Sequence, residues 1–381
     1  MVALGEVAPL VRRPIAVVAD ETYGEIGIRS HGKGVFHKPF VQGYELGEKR
    51  IFRIEAGDLL FNIIFAWEGA VAVASSDDAD KVGSHRFLTC VCDAKRADAR
   101  FLNLFFRTEA GLRQLRAASP GGAGRNRTLS LNGLAQLRVP LPTLAEQRRI
   151  VNRLDGAADR IAKRAAAAKK VEVELGAMLQ VAFRRLAGHR RVRLSEVMIL
   201  RPTDTAVMPD EIYQFAGVYS FGRGVFRSTA KRGSETAYQR LTRLRQGNFV
   251  YPKLMAWEGA LGIVPPICDG CFVSPEFPVF EIDQDAVLPE LLELHFRDRA
   301  NWPKSTGTNV RRKRVHPEEF LRLEMPLPPL KQQETLAEAC RKAALALAAQ
   351  RDAAEELDKL LPALLHEAFG EGTAALPRAA A

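Results

Sequence analysis

The sequence predicts an α/β (α+β) protein made of two copies of one plan: a globular region of roughly 135 residues, then a long helix. Three observations predict it. Residues 140–183 open with P-L-P-T-L-A-E-Q-R-R-I-V, and a near-copy at 326–369 opens with P-L-P-P-L-K-Q-Q-E-T-L-A. Both stretches then keep a helical pattern of apolar residues for roughly 40 positions. The stretches before them align in a single register.

That register has an offset of 190, or 194 minus 4, since Leu4-Gly5-Glu6-Val7 falls on Leu194-Ser195-Glu196-Val197. It carries Tyr23 onto Tyr213, Gly27 onto Gly217, and G-K-G-V-F at 32–36 onto G-R-G-V-F at 222–226. It continues through Gly57 and Gly247, A-W-E-G-A at 66–70 and 256–260, Ser84 and Ser274, Phe87 and Phe277, and Phe106-Arg107 and Phe296-Arg297. Beyond these the offset falls to 186, or 326 minus 140, so the first copy has four extra residues near 108–130. One register held over about a hundred residues indicates internal duplication.

In the first long helix, Thr143 and Glu146 have the T-x-x-E order of a capping box, and Pro142 favours an abrupt entry. Its apolar seam reads Ile150, Leu154, Ala157, Ile161, Ala168, Val171, Leu175, Met178, Ala182, interrupted by Arg164. In the second, Pro329 suits the first turn, and the seam reads Leu336, Cys340, Ala343, Leu347, Gln350, Ala354, Leu357, Leu361, Leu364, Ala368. A four-three rhythm this long is a coiled-coil seam, and its many alanines allow close approach. The competing reading is two independent amphipathic helices on separate domains. Equal length and matched seams favour mutual packing. Both helices end on phenylalanine, Phe183 and Phe369, with Gly188 and Gly370 as stops and a kink expected at Pro362. Each rod should be roughly 60 Å long.

In the globular regions, Asp58–Phe65 and Asn248–Tyr251 read as strands, and Phe101–Leu115 and Leu288–Arg299 as short helices. The domain plan is 1–139 globular, 140–187 central helix, 188–325 globular, 326–370 terminal helix and 371–381 tail.

Composition narrows the function classes. No stretch of about 20 apolar residues exists to span a membrane. M-V-A-L-G-E-V-A lacks the charged-then-apolar order of a signal peptide, so a cytoplasmic protein is expected. A formal net charge of +10 suggests a polyanionic partner, most simply nucleic acid. Cys268 and Cys271 form a C-x-x-C pair, but the aligned residues Asp78 and Lys81 argue against a duplicated zinc site. Reduced structural cysteines, with no metal, are expected.

Gly27–Gly34 has the outline of a phosphate loop without the Ser or Thr that would hold magnesium. The G-K-G and G-R-G turns therefore read as tight turns presenting Lys33 and Arg223 to a phosphate backbone. Trp67 and Trp257 read as packed core residues. The alternative is a surface loop where Glu68 and Glu258 accept from a base amino group. The basic loop at 304–314 holds Lys304, Ser305, Thr306, Thr308, Asn309, Arg311, Arg312 and Lys313, and its counterpart holds Arg125, Asn126, Arg127 and Thr128. Glycine, hydroxyls and amides beside arginine are suited to contacting DNA backbone and bases. No methyltransferase [D/N]-P-P-[Y/F] box, G-x-G-x-x-G, phosphate-binding loop or H-E-x-x-H motif is present, so the chain reads as a binder rather than an enzyme.

The P-L-P-[T/P]-L-x-x-Q entries, R-V-P-L-P-T-L-A-E-Q-R-R-I-V at 138–151 and L-E-M-P-L-P-P-L-K-Q-Q-E-T at 323–335, resemble the specificity (S) subunits of type I restriction-modification enzymes. The A-W-E-G-A turns, S-P-E-F-P at 274–278 and S-T-G-T-N-V at 305–310 add to the resemblance, which covers nearly the whole chain. It departs from the pattern where the second copy lacks A-E-Q and the first lacks S-T-G-T. The resemblance implies two target recognition domains separated by two long antiparallel coiled-coil helices, the central one being the family's conserved spacer region. It implies a non-catalytic subunit that binds double-stranded DNA and docks two methyltransferase (M) subunits. S-adenosylmethionine would be held by those partners, no cofactor by this chain, and translocation and cleavage would fall to a restriction (R) subunit. A non-catalytic scaffold that binds partner proteins through its coiled coil is the alternative.

Overall fold

The structure is a computed structural model that describes residues 1–122, 127–304 and 314–370. The chain divides into two compact bodies: Met1–Ala165 together with the terminal segment from Ala354, and Ala166–Ala353. Each body holds one globular region and one half of each long helix. No described helix is long and apolar enough to cross a membrane.

The first body contains a five-stranded sheet in the order Pro14–Ile15, Ile51–Arg53, Val82–Ser84, Thr22–Ile28, Val35–Gln42. A four-stranded sheet runs Leu10–Val11, Phe87–Cys90, Leu59–Asn62, Val71–Val73. The second body repeats both. Its five-stranded sheet runs Thr205–Ala206, Arg240–Arg243, Phe272–Val273, Ile212–Val218, Val225–Arg232, and its four-stranded sheet Met198–Leu200, Val279–Ile282, Phe249–Val250, Gly262–Ile263. Pairing is antiparallel except for one parallel contact per body, Glu25 with Val82 and Phe215 with Phe272. A short ladder joins the start of each globular region to its end, Val2–Ala3 with Arg138–Val139 and Arg191–Arg193 with Glu324–Pro326.

Local chemistry sets several boundaries. The first strand stops at Asn62 rather than Phe65, because the Asn62 Oδ1 accepts from the N–H groups of Ile64 and Phe65 and turns the chain. Its counterpart is only Phe249–Val250, ahead of Pro252. The helix read as Phe101–Leu115 is two, Ala99–Phe106 and Glu109–Ala117. Thr108 caps the second by accepting from Gly111 N–H at 3.2 Å. In the other body Pro289–Arg297 is followed by a single short turn, Arg299–Asn301, capped by Asp298. The extra residues of the first copy therefore lie where it has a helix and the second has a turn.

The two long helices span Leu144–Ala187 and Leu330–Phe369, 44 and 40 residues. Only half of the expected capping box forms. Thr143 Oγ1 accepts from Glu146 N–H at 3.3 Å, but the Glu146 carboxylate turns to Arg149, at 2.8 and 2.7 Å. The second helix stays helical on both sides of Pro362. Gly188 ends the first in the left-handed region, φ 55°, as expected of a C-terminal stop.

In the first body the N-terminal half of the first helix lies against the C-terminal half of the second, and Arg153 makes two hydrogen bonds to Glu367, at 3.0 and 2.9 Å. In the second body the opposite halves meet, and Arg351 pairs with Glu172 at 2.8 Å. Both pairings are antiparallel.

Each pair of half-helices also completes a core. In the first body Ile150, Val151, Leu154 and Leu365 join Phe101, Phe105 and Phe106, and the Phe369 ring lies 5.1 Å from that of Phe101. In the second body Leu179, Phe183, Leu336, Ala337 and Ala343 join Phe249, Phe280, Phe296 and Phe320. Near the end of the first helix the expected seam holds at Leu175 and Ala182, which pack against this core, and fails at Val171 and Met178. Met178 is 67% exposed and Val171 half exposed, while Leu179 and Phe183 are buried. The helix packs on a globular core as well as on its partner, which rotates its buried face away from a strict coiled-coil seam.

Candidate nucleic-acid interface

Each five-stranded sheet ends in a hairpin, Thr22–Ile28 with Val35–Gln42 and Ile212–Val218 with Val225–Arg232, whose second strand is the sheet edge. Both hairpins carry a bulge at the same place, between Gly24 and Ile26 and between Gln214 and Ala216, which bends and twists them. The connecting turns are R-S-H-G-K-G and Y-S-F-G-R-G. They place His31 and Phe221 in the left-handed region (φ 60° and 65°), along with Gly32, Gly34, Gly222 and Gly224.

These turns are held by the duplicated A-W-E-G-A segments. His31 N–H donates to Glu68 O at 2.9 Å and Gly32 N–H to Gly69 O at 3.0 Å. Phe221 N–H and Gly222 N–H donate to Glu258 O and Gly259 O, both at 2.9 Å. Ser30 Oγ donates to the Glu68 carboxylate at 2.8 Å, and Ser220 Oγ to Glu258 at 3.3 Å. The two repeated motifs, far apart in sequence, thus make one paired turn in each body. The carboxylates that the alternative reading had accept from a base each take one hydrogen bond from these serines.

Aromatic stacking stiffens the hairpin ends. Gly27 and Gly217 lie under the rings of Phe36 and Phe226, which leave no room for a Cβ. The Arg29 guanidinium sits 4.8 Å above the Phe36 ring. In the second body Tyr219 stacks on Phe226, with centroids 4.0 Å apart, and Arg223 lies 4.8 Å above Tyr219.

Of the predicted contact residues, Lys33 and Arg223 are exposed at the turns. Arg127 is half-buried. Its guanidinium lies 5.1 Å above the Trp67 ring, and its Nε donates to Gly122 O at 3.0 Å. Thr128 is exposed and donates its N–H to Pro120 O at 3.4 Å. Lys304 is exposed two residues after Trp302, whose ring packs against Gly259 and whose Nε1 donates to Phe296 O at 2.8 Å. The described ends of both basic loops therefore lie beside the paired turns. Arg125, Asn126, Ser305, Thr306, Thr308, Asn309, Arg311, Arg312 and Lys313 lie outside the described residues.

Trp67 and Trp257 are half-buried rather than core. Trp257 Nε1 donates to Leu254 O at 2.8 Å, whereas the Trp67 Nε1 is buried without a partner. Sequence reasoning missed Phe221 and Arg299. Phe221 is 58% exposed and faces the Trp302 ring, with the Arg299 guanidinium 5.8 Å from one ring and 5.6 Å from the other. Their signal was weak, because neither is duplicated in kind: His31 and Glu109 hold the aligned positions.

Among the described residues no three His, Cys, Asp or Glu side chains converge to hold a metal ion. Cys268 and Cys271 are free, buried thiols on a tight turn through Gly270, and burial pushes both thiols above their ordinary range. Burial likewise pushes Cys90 and Cys92 up to about 12, so neither is an activated nucleophile at neutral pH.

No protein-family model matches the sequence, and no curated protein matches it. Solved structures do. The chain is similar to the HsdS subunit from Thermoanaerobacter tengcongensis, with 21% identity, TM-score 0.58, and 97% of this chain and 95% of that one covered. It is similar to a chain from a structural study of complex assembly and conformational transition in the type I R-M system, with 19% identity, TM-score 0.66, and 96% of each chain covered. It is also similar to the type I restriction-modification S subunit from M. genitalium, with 10% identity, TM-score 0.51, and 98% and 96% covered. The chain has the fold of these specificity subunits over nearly its whole length.

Proposed function

We propose that this chain is the DNA sequence-recognition subunit of a type I restriction-modification complex. Each globular body reads one half of an asymmetric, bipartite target, and the two long helices set the unread gap and dock M subunits. The carrying observation is that a duplicated chain, with the same two sheets and the same paired turns in each copy, follows an HsdS fold over 97% of its length. A fold can host unrelated functions, so the sites must agree with it. Supporting the reading, both bodies present exposed cations on stiffened turns, with the described ends of the basic loops beside them.

The proposal assigns no chemistry to this chain. Two M subunits would methylate adenine with S-adenosylmethionine held on themselves, and an R subunit would translocate and cut. The two bodies differ in sequence, so the two half-sites differ. A rod of about 66 Å, at about 1.5 Å per residue, compares with about 34 Å per turn of duplex, which puts the half-sites one to two turns apart. A protein-binding scaffold would account for the rods alone and leaves the exposed cations of the turns without a role.

The test is to co-purify the full chain with type I M subunits from its own source and map the adenines that become methylated. The expected result is one adenine in each of two unlike half-sites at a constant gap. Methylation independent of this chain, or at a continuous site, overturns the proposal.

A further inference from the structure

The two hairpins share geometry but not charge. Residues 191–250 hold ten Lys and Arg against five Asp and Glu, whereas the aligned 1–60 hold eight of each, so over this stretch, which includes the hairpins, the excess lies in the second copy. On the outer strand of the second hairpin, Arg227 through Arg232 are six exposed residues in succession. Successive strand residues point to opposite faces, so both faces of this strand and its free edge are open. Among the described residues Arg223, Arg227, Lys231 and Arg232 make no ion pair; Arg223 Nε donates to Ser220 O at 3.1 Å and the Arg232 guanidinium to Asp210 O at 3.4 Å, which leaves their charge unneutralised. In the first hairpin Arg29 and Lys33 at the turn also make no ion pair among the described residues, but on its outer strand His37 is bound to Asp78 at 2.7 Å, Lys38 approaches Glu25 at 4.0 Å, and Pro39 and Phe40 follow.

Cations on an edge strand also block pairing with other strands, but a single lysine is enough for that. Four unpaired cations within ten residues, with Ser228 and Thr229 between them, exceed that need. A twisted two-stranded ribbon has the width to enter the major groove of a duplex. The stack of Arg223, Tyr219 and Phe226 holds its tip rigid before binding.

We propose that the second hairpin, through Arg223, Arg227, Lys231 and Arg232, is the principal phosphate-contacting surface of this chain on duplex DNA, and that the first hairpin contributes little of the electrostatic affinity. Binding is therefore lopsided: the second body anchors, and the first relies on base and shape contacts. This rests on the DNA-recognition reading above.

The experiment titrates the full chain against a labelled random-sequence duplex over a range of salt concentrations. The wild type is expected to lose affinity linearly in log salt. The variant R227A/K231A/R232A is expected to have a slope shallower by about 2 to 3, since each phosphate contact contributes about 0.9. The matched first-hairpin variant K33A/K38A should change the slope by less than about 1. The charge-retaining variant R227K/R232K should keep the wild-type slope, which separates lost charge from lost fold. An unchanged slope in the triple variant, with the wild type still salt-dependent, overturns the hairpin assignment and leaves DNA recognition standing. A wild-type chain with no salt-dependent duplex binding overturns both.

Discussion

Gln147 and Gln333 stand at the same step of the two long helices and make the same three hydrogen bonds, each within its own body. Gln147 Nε2 donates to Arg96 O and Pro142 O, both at 2.9 Å, and its Oε1 accepts from Asp98 N–H at 2.9 Å. Gln333 Nε2 donates to Ala286 O and Pro328 O, both at 3.0 Å, and its Oε1 accepts from Leu288 N–H at 3.1 Å. Both side chains are buried. The glutamine of the repeated L-x-x-Q entry is thus a clasp that ties the start of a rod to the loop before the first core helix.

Gln147→Leu and Gln333→Leu should each destabilise their own body by about 2–3 kcal/mol, because buried N–H and C=O groups lose their partners and an isobutyl group replaces none of them. Urea unfolding of the full chain measures this as a lowered midpoint for one transition. Unchanged midpoints would show that the clasp is dispensable.

Met178 and Leu179 are adjacent, but the structure gives them opposite roles. Leu179→Ala removes a buried side chain from the second core and should cost about 2–5 kcal/mol. Met178→Ala, on an exposed face, should change stability by less than about 0.5 kcal/mol. Thermal melts of the two variants check the register of the first helix directly; equal losses would return it to the simple seam.

His295 is 2% exposed, its Nδ1 has no partner, and its ring packs against Phe183 and Phe296. Burial, with Arg191 nearby, lowers its pKa to about 4. The folded state therefore resists protonation that the unfolded state accepts near pH 6.5. Stability contributed by the neutral ring is present above about pH 6.5 and is lost as pH falls toward about 4, by on the order of 3 kcal/mol. His295→Phe, which installs the residue found at the aligned Phe105, should flatten this dependence. The comparison is urea unfolding at about pH 7 and about pH 5; parallel losses in both proteins would exonerate His295.

Gly217→Ala would place a Cβ 2.5 Å from Phe226 Cζ. The ring must leave its stack on Tyr219, at a cost of about 1–3 kcal/mol. Arg223 then loses its platform, so duplex binding should weaken even though no charge is removed. Retained affinity would mean that the stack does not preorganise the turn.

Deleting one heptad from the matched middle of both long helices should change the preferred gap between the two half-sites by several base pairs, since about 10 Å of helix, at about 1.5 Å per residue, is removed. Methylation mapping on targets with varied gaps reads this out, and an unchanged gap rejects the helices as the ruler.

Much of this was legible in the sequence because a repeat reports on itself. The duplicated glycines, the A-W-E-G-A turns and the P-L-P entries marked the positions where backbone geometry is demanding, and the structure finds positive φ, closed turns or clasps at them. The reading failed where a polar side chain redirected the backbone. Asn62 cut a strand short, Thr108 split a helix, and Arg149 took the glutamate that would have closed a capping box. Such choices are settled by one hydrogen bond against another of similar strength, and periodicity does not register them.

By itself the sequence determined the duplication, the two long helices, the mixed class and the basic character, since these follow from patterns that recur along the chain. Only the tertiary structure decided that each body closes its core with halves of two different helices, that the G-x-G and A-W-E-G-A motifs form one turn, and that the outer strand of one hairpin carries unpaired cations where that of the other sets His37 and Lys38 beside carboxylates. The physical reason is that burial and charge pairing are properties of neighbours in space, and residues such as Leu365 and Phe101, or His37 and Asp78, become neighbours only when the chain has folded.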